Sequence, residues 1–503
     1  METKHVLLIS FYNQASLGLR YLENACKRAG IDVKLVFFKT ITYANPAPCT
    51  ETELELLRNY MAETKPDVVG LSLMSSICIQ TVKTVNAMIK KQFDIPVVWG
   101  GTYPTMFPED SLEHADFVIR GEGEEALVEL CDALMNGKPY ERILNLAYRK
   151  DGQAVVNEIR PLCGNLDVLG YPVLDNGNKT LIDGEKSIPG DPRMRGKYYE
   201  LAASRGCPFG CSFCCAIALK RLYRGKGSFL RFRSVDSVIN ELREAKQKMS
   251  DLKKIRFWDE VFSDDPSWVD SFVRHYREEI NIPFEIWCHP LKIDKELIEK
   301  LRSAGLDAVV MGIQSGSDRI RKDIFHRGES REAIIRASEI FTQCKIPSVS
   351  YDFMLQHPFE THDDIRESYL LCLKLKGKFT LQMHGLMFFP GSDIAAMALE
   401  RGLFTSDEME KLMYGTYKEQ FDAYHKYENH DEISTFWHQL IFMTQIPHLR
   451  PVTRLLSKNA DSALNRRLAR GAYAWAQRVQ WMKNKAGRAR LKLKGYVMTL
   501  RGS

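Results

Sequence analysis

No stretch of this 503-residue chain approaches the roughly twenty uninterrupted apolar residues that a membrane-spanning helix needs. A secretory leader pattern is also missing, and the twelve cysteines are mostly isolated. These absences argue against a disulfide framework and lead to the expectation of a reducing, cytoplasmic setting. Acidic residues nearly vanish from one region: from Arg450 onward Asp461 stands alone against fourteen Lys and Arg, a balance of +13 in a chain whose total is +6. The rest carries about −7, so the tail is the only strongly basic region. Apolar residues are not scarce. At 45% of the chain they suffice for ordinary cores in two or three domains.

A second C-x2-C pair is absent too, and that bears on the stretch Ser204-Arg205-Gly206-Cys207-Pro208-Phe209-Gly210-Cys211-Ser212-Phe213-Cys214-Cys215. Cys207, Cys211 and Cys214 stand at the spacing C-x3-C-x2-C. A structural zinc site usually wants four ligands, with a second pair at related spacing. Three thiolates on one loop suit three irons of a [4Fe–4S] cubane and leave the fourth iron open to a small molecule. Gly206, Pro208 and Gly210 keep the loop tight, while Phe209 and Phe213 would shield a cluster from water. Cys215 is either a spare ligand or a packed thiol. Preceded by a strand-like run from Tyr198 to Ala203, this spacing resembles the signature of the radical S-adenosylmethionine (SAM) enzymes. The resemblance implies that the open iron chelates the amino and carboxylate groups of SAM. An electron from the cluster would then cleave it to methionine and a 5′-deoxyadenosyl radical.

From His5 to Leu134 apolar runs alternate with amphipathic stretches. Continuous Val/Ile/Leu/Phe runs with helices between them predict a doubly wound parallel sheet, Rossmann-like, with ligands beyond the carboxyl ends of its strands. Those ends carry small residues, Gly70-Leu71-Ser72-Leu73-Met74-Ser75-Ser76, Gly100-Gly101-Thr102 and Gly121-Glu122-Gly123, which are either simple turns or the cradle of a large flat ligand. Their order ahead of the cysteine loop resembles the cobalamin (B12)-binding domain fused to many radical SAM enzymes. The resemblance covers residues 1 to about 140 and places Ser72, Ser75, Gly100, Gly101, Gly121 and Glu122 near the corrin. No Asp-x-His-x-x-Gly string supplies a histidine to the lower face of cobalt.

Turn and breaker residues fill 141–197, which reads as a linker or cap. From 198 to 395 about six strand–helix units follow, the partial (β/α)6 barrel of a radical SAM core, whose chemistry sits at the strands' carboxyl ends. Asp259 and Glu260 resemble the family's acidic string for the amino group of SAM, or else cap the next helix. Gly312-Ile313-Gln314-Ser315-Gly316-Ser317 resembles a Gly-x-Glu-Ser-Gly-Ser string that contacts SAM, with Gln314 in place of Glu, so Gln314, Ser315 and Ser317 are assigned to SAM. Arg327 is placed toward the methionine carboxylate. In Gln356-His357-Pro358-Phe359-Glu360-Thr361, Gln356 and Phe359 replace two glycines of the family's Gly-x-Pro-Gly-Glu-Thr turn. His357 is therefore either a substrate acid or base or a packed or solvated loop residue. Phe388-Phe389-Pro390-Gly391 resembles the turn that closes the barrel.

Residues 396–503 read as a helical, basic extension with Trp437, Trp475 and Trp481, expected to pack across the barrel mouth. Arg466 to Lys494 mixes cations with Ala, Leu and Trp, which suits either a solvated helix or peripheral contact with the inner face of an anionic membrane. No nucleic-acid motif accompanies the charge. The resemblance implies an enzyme with a [4Fe–4S] cluster, SAM and cobalamin, a small-molecule or lipid-like substrate, and a one-electron donor such as flavodoxin or ferredoxin. Methyl transfer to an unactivated carbon is the expected reaction. Cyclisation, rearrangement or C–C bond formation is the alternative, and an iron–sulfur redox sensor a remote one.

Overall fold

The computed structural model describes residues 5–40, 47–425 and 431–500. Nine strands form the first sheet: β1 His5–Phe11, β2 Asp32–Phe38, β3 Val68–Ser72, β4 Val97–Gly100, β5 Phe117–Ile119, β6 Leu146–Lys150, β7 Gln153–Val156, β8 Lys179–Asp183 and β9 Lys186–Pro189. Their order is β7-β6-β5-β4-β3-β1-β2-β8-β9. Strands β1 to β5 and β8 run parallel, β6 and β9 run opposite to them, and β7, paired antiparallel with β6, returns to the direction of β5. Every residue of β1 is buried, as expected of a strand covered on both faces. Helices Leu17–Arg28 and Glu124–Asn136 cover one face; Glu51–Thr64 and Ile79–Gln92 cover the other. The chain reverses direction across the sheet between β1 and β3, the crevice where open α/β sheets take ligands.

Residues 141–197, expected as a linker or cap, instead extend this sheet at both edges through β6 and β7 and through β8 and β9. Buried Lys179 in β8 is tolerated because its ammonium meets Glu23 at 2.7 Å.

The second sheet has six parallel strands in the order β10-β13-β14-β15-β16-β17, namely Tyr198–Leu201, Lys254–Phe257, Phe284–Cys288, Leu306–Gln314, Ser348–Met354 and Thr380–His384. Between its first two strands lies a short ribbon, β11 Ser204–Arg205 with β12 Arg231–Phe232. Tyr199, Phe257, Ile286, Met311, Tyr351 and Phe353 pack outward beneath helices. Because side chains alternate along a strand, Glu200, Arg256, Trp287, Gly312 and Asp352 face the open lumen.

The extension splits in two rather than crossing the mouth. Helices Ser406–Tyr414 and Tyr417–His425 lean on the first sheet's domain, with Tyr417 stacked on Tyr12 at 4.3 Å and Gln80 Nε2 donating to the Tyr414 carbonyl. Helix Glu432–Thr444 buries Phe436, Trp437 and Leu440 against helix His362–Lys374 outside the barrel, with Trp437 5.5 Å from Tyr369. Its apolar face is best removed from water there. Helix Ala463–Leu500 follows, and the side chains beyond Met482 lie outside the described residues.

Candidate active site between the two sheets

A cavity of about 410 Å³ opens between the carboxyl end of the first sheet and the loop after β11. Ser72, Gly100, Gly101, Gly121 and Glu122 line it, opposite Arg205, Gly206, Tyr223, Phe229 and Arg231 from the second half. Ser75 does not line it; its hydroxyl accepts from Ile77 N and caps a short helical turn. None of the lining residues is a histidine.

Glycine is required where the halves touch. Gly121 has φ 68°, and a Cβ there would sit 1.7 Å from the Tyr223 hydroxyl. Gly206 has φ 91°, with the Phe229 carbonyl 2.0 Å from where its Cβ would be. Both positions combine a left-handed backbone with a contact that leaves no room for a side chain.

Glu122 joins the two halves. Its carboxylate meets Arg205 and Arg231 at 3.0 Å each and accepts from Cys163 N, while its own N–H donates to the Tyr223 hydroxyl. Burial alone would raise this carboxyl, but Arg231 and Arg205 outweigh it and hold it below the usual range.

The three cysteines sit on the loop between β11 and helix Cys215–Leu222, all unpaired and partly exposed. Ser212 anchors the loop: its N–H and hydroxyl donate to the Phe325 and Ile324 carbonyls, and its carbonyl accepts from Ile394 N. Phe209 stacks on His289 at 3.7 Å and Phe213 meets Phe325 edge-on at 5.1 Å. Burial pushes the Cys207 thiol up to about 11 and raises Cys211, against the pull of Arg327. A cationic centre is therefore needed to draw the thiolates out. Among the described residues no three His, Cys, Asp or Glu side chains converge as a single-ion site requires; a cubane takes one thiolate per iron and spaces its ligands apart.

The SAM candidates separate into two groups. Glu260 is solvent-exposed on the side of the cysteines; the surrounding protein raises its carboxyl, and its charge in turn raises Cys207. Gln314, at φ 68°, leaves its side-chain carbonyl oxygen unpartnered. The others are engaged within the protein. Asp259 is buried, pushed up to about 6, and accepts from Ala203 N and the Ser204 hydroxyl. Ser315 faces Ser368, and the Ser317 hydroxyl donates to Asp364 at 2.6 Å. Arg327 donates to Glu329 and to the Gly312 carbonyl.

His357 is sealed in the core beside Phe325 and Phe359, burial lowers it to about 3, and neither ring nitrogen makes a hydrogen bond, Nε2 lying 3.7 Å from the buried Glu360 carboxyl. A proton carrier must reach its substrate, so this placement argues against an acid–base role. Sequence reasoning missed Asp352, whose carboxyl faces the lumen with one oxygen unpartnered and is raised by burial to about 7. An acidic residue at an inward position near a strand's end was the available signal. Trp258 and Trp287 stack at 4.4 Å near the same mouth.

Residues 201–372 match the Radical SAM superfamily and residues 5–131 match the B12 binding domain. The chain belongs to the B12-binding-domain radical SAM enzymes. It is 25% identical to an uncharacterized methyltransferase of Pyrococcus horikoshii, over 80% of this chain and 86% of that protein. It is 23% identical to cytidylyl-2-hydroxyethylphosphonate methyltransferase of Streptomyces wedmorensis, over 62% of this chain and 63% of the relative. Among solved structures, the radical SAM methyltransferase TsrM of Kitasatospora setae with tryptophan and a SAM analog bound shares its fold, at TM-score 0.64 and 18% identity, covering 79% of this chain and 76% of TsrM.

The cofactors of this B12-binding radical SAM enzyme are a [4Fe–4S] cluster, SAM and cobalamin. The residues present fit them. The thiols share one anchored loop, Gln314 keeps an unpartnered acceptor, and the cavity floor is cut back to glycine at Gly100, where the nearest atom to a Cβ would be the Ile119 carbonyl oxygen at 3.9 Å. Among the described residues no helix is long and apolar enough to cross a membrane.

Proposed function

We propose that the enzyme transfers a methyl group to an unactivated carbon of a small molecule, in the space where the lumen meets the interdomain cavity. One observation carries the reading: Gly206 forms a wall of the cavity and Cys207 follows it directly, so two reactive centres would face one substrate. The similarity to proteins named as methyltransferases supports it. When bound, the cluster and SAM supply the radical, and cobalamin supplies methyl-transfer chemistry. Cys207, Cys211 and Cys214 are the cluster ligands in this reading. Glu260 meets the amino group of SAM and Gln314 its ribose hydroxyls. Ser72, Gly100, Gly101, Gly121 and Glu122 border the corrin, Asp352 exchanges a proton with the substrate, and Trp258 with Trp287 limits water. The cobalamin unit comprises residues 1–140 with the strands added by 141–197, and the barrel unit comprises 198–395. A one-electron donor of the flavodoxin or ferredoxin type is required, in the cytoplasm.

Product mass tests the reaction. Methylation adds one methyl group and consumes two SAM per turnover; a product of unchanged carbon count would replace this reading with ring closure or rearrangement. Protein purified anaerobically with about four irons but no corrinoid, even after reconstitution, would overturn the assignment of the first cavity.

A peripheral membrane contact is part of the same proposal. Leu464, Leu468, Trp475 and Met482, at spacings of four, seven and seven, are all more than half exposed on one side of the last helix, while Ala469, Ala472 and Ala476 pack inward. With the +13 balance of the tail, this stripe suits an anionic lipid surface. Co-sedimentation with phosphatidylglycerol-containing vesicles should fall sharply in Leu468→Ser/Trp475→Ser. Equal sedimentation of both proteins, or none for the wild type, removes the idea.

A further inference from the structure

We propose that Arg327 is a positioning residue for the iron–sulfur cluster, its guanidinium donating to the Cys211 sulfur and raising the cluster's reduction potential. The inference rests on the cluster reading given above.

Arg327 is 6% exposed, and each of its side-chain nitrogens has a direction. Nε donates to Glu329 Oε1 at 2.6 Å and Nη2 to the Gly312 carbonyl at 2.7 Å. These two bonds fix the plane of the guanidinium and leave Nη1 3.9 Å from Cys211 Sγ. Its backbone is fixed as well, because Arg327 N donates to the carbonyl of buried Arg321 at 2.7 Å.

A guanidinium buried alone would be costly, and Glu329, fully buried, supplies the counter-charge. The second oxygen of Glu329 lies 3.4 Å from His289 Nε2, close but without a hydrogen bond. His289 Nδ1 accepts from Leu291 N at 3.2 Å, so the imidazole proton sits on Nε2, facing Glu329. Phe209 of the cysteine loop covers the imidazole. The chain therefore starts at the loop with Cys211, runs through Arg327, Glu329 and His289, and returns to the loop at Phe209.

This geometry directs Arg327 away from the methionine carboxylate. Two of its nitrogens are spent on protein acceptors, and the third faces sulfur. Reduction adds an electron to the cluster, and a cationic donor beside a ligating sulfur stabilises the more negative state. Glu329 moderates that effect by placing a negative charge behind the guanidinium.

The test is a redox titration of reconstituted protein followed by electron paramagnetic resonance, with iron and sulfide measured on each sample. Arg327→Gln should keep about four irons and shift the midpoint to a more negative potential, with Arg327→Lys between it and the wild type. Glu329→Gln should shift the midpoint the other way, since it removes the counter-charge and leaves the cation. A merely structural role would not give opposite signs. Full iron with unchanged midpoints in all three variants would overturn the proposal, as would an Arg327→Gln protein that loses only SAM affinity. If Arg327→Gln fails to hold iron, the midpoints of the other two variants decide in the same way. A wild-type protein that cannot be loaded with iron would instead overturn the underlying cluster reading.

Discussion

At the carboxyl end of the first sheet β3 and β4 finish in serine and glycine, and Glu122 and Glu124 are carboxylates that tie this rim to the other half. At the carboxyl end of the second, the corresponding positions hold Trp258, His289, Gln314 and Met354, and buried ion pairs stand behind them. In the proposed reading the first end accommodates a ligand by removing side chains, so its specificity would lie in backbone shape. The second would hold its ligands with particular side chains, so its specificity would lie in sulfur, charge and hydrogen bonds. Removing a side chain should therefore damage the second site most, and adding one should damage the first.

Cys211→Ala should have the largest effect: loss of the absorbance near 400 nm and of SAM cleavage, with corrinoid binding retained. Loss of corrinoid as well would show that the two sites are not separable. Gly121→Val is the converse. Its Cβ collides with the Tyr223 hydroxyl at a positive φ, so corrinoid should be lost while iron stays near four per chain, with stability falling by about 1–3 kcal/mol. Corrinoid retained by this variant would break the account of the first site.

Glu122→Gln tests the contact between the halves and should cost about 1–3 kcal/mol at neutral pH. The sign of its pH dependence follows from the depressed carboxyl. The stabilisation is fully present above the ordinary glutamate value and disappears as pH falls through the lower folded value. Melting temperatures of wild type and variant should thus converge on acidification; a constant gap would place the effect elsewhere.

Much of this was legible where function is concentrated in few adjacent positions. Three cysteines within eight residues announce a cluster loop, and glycines after apolar runs announce strand ends beside a ligand. The edge strands were not legible, because β8 contains Lys179, whose burial depends on Glu23 from a distant helix. The Arg327–Glu329–His289 chain was equally hidden: Arg327 and Glu329 are neighbours, but His289 and Cys211 come from other segments, and only folding shows that the arginine turns to sulfur. Ser315 and Ser317 matched a string in sequence while their hydroxyls serve the turn and helix His362–Lys374.

The smallest effect is expected at His357, where the residue type alone suggested chemistry. Its ring is fully buried, flanked by Phe325 and Phe359, with neither nitrogen hydrogen-bonded, Nε2 3.7 Å from the Glu360 carboxyl, and the group neutral down to about pH 3. Replacing a buried polar group that makes no hydrogen bond by an apolar one of similar shape removes a desolvation cost, so His357→Leu should change stability by no more than about 1 kcal/mol in either direction. The pH profile of SAM cleavage should be superimposable on that of the wild type. Asp352→Asn, by contrast, should shift or abolish a limb of the turnover profile near pH 7, where burial places that carboxyl. If instead His357→Leu moves the profile and Asp352→Asn does not, the proton-handling group of the second site lies beneath the barrel wall rather than in its lumen, and the contrast between a shape-defined and a side-chain-defined end would have to be redrawn around that residue.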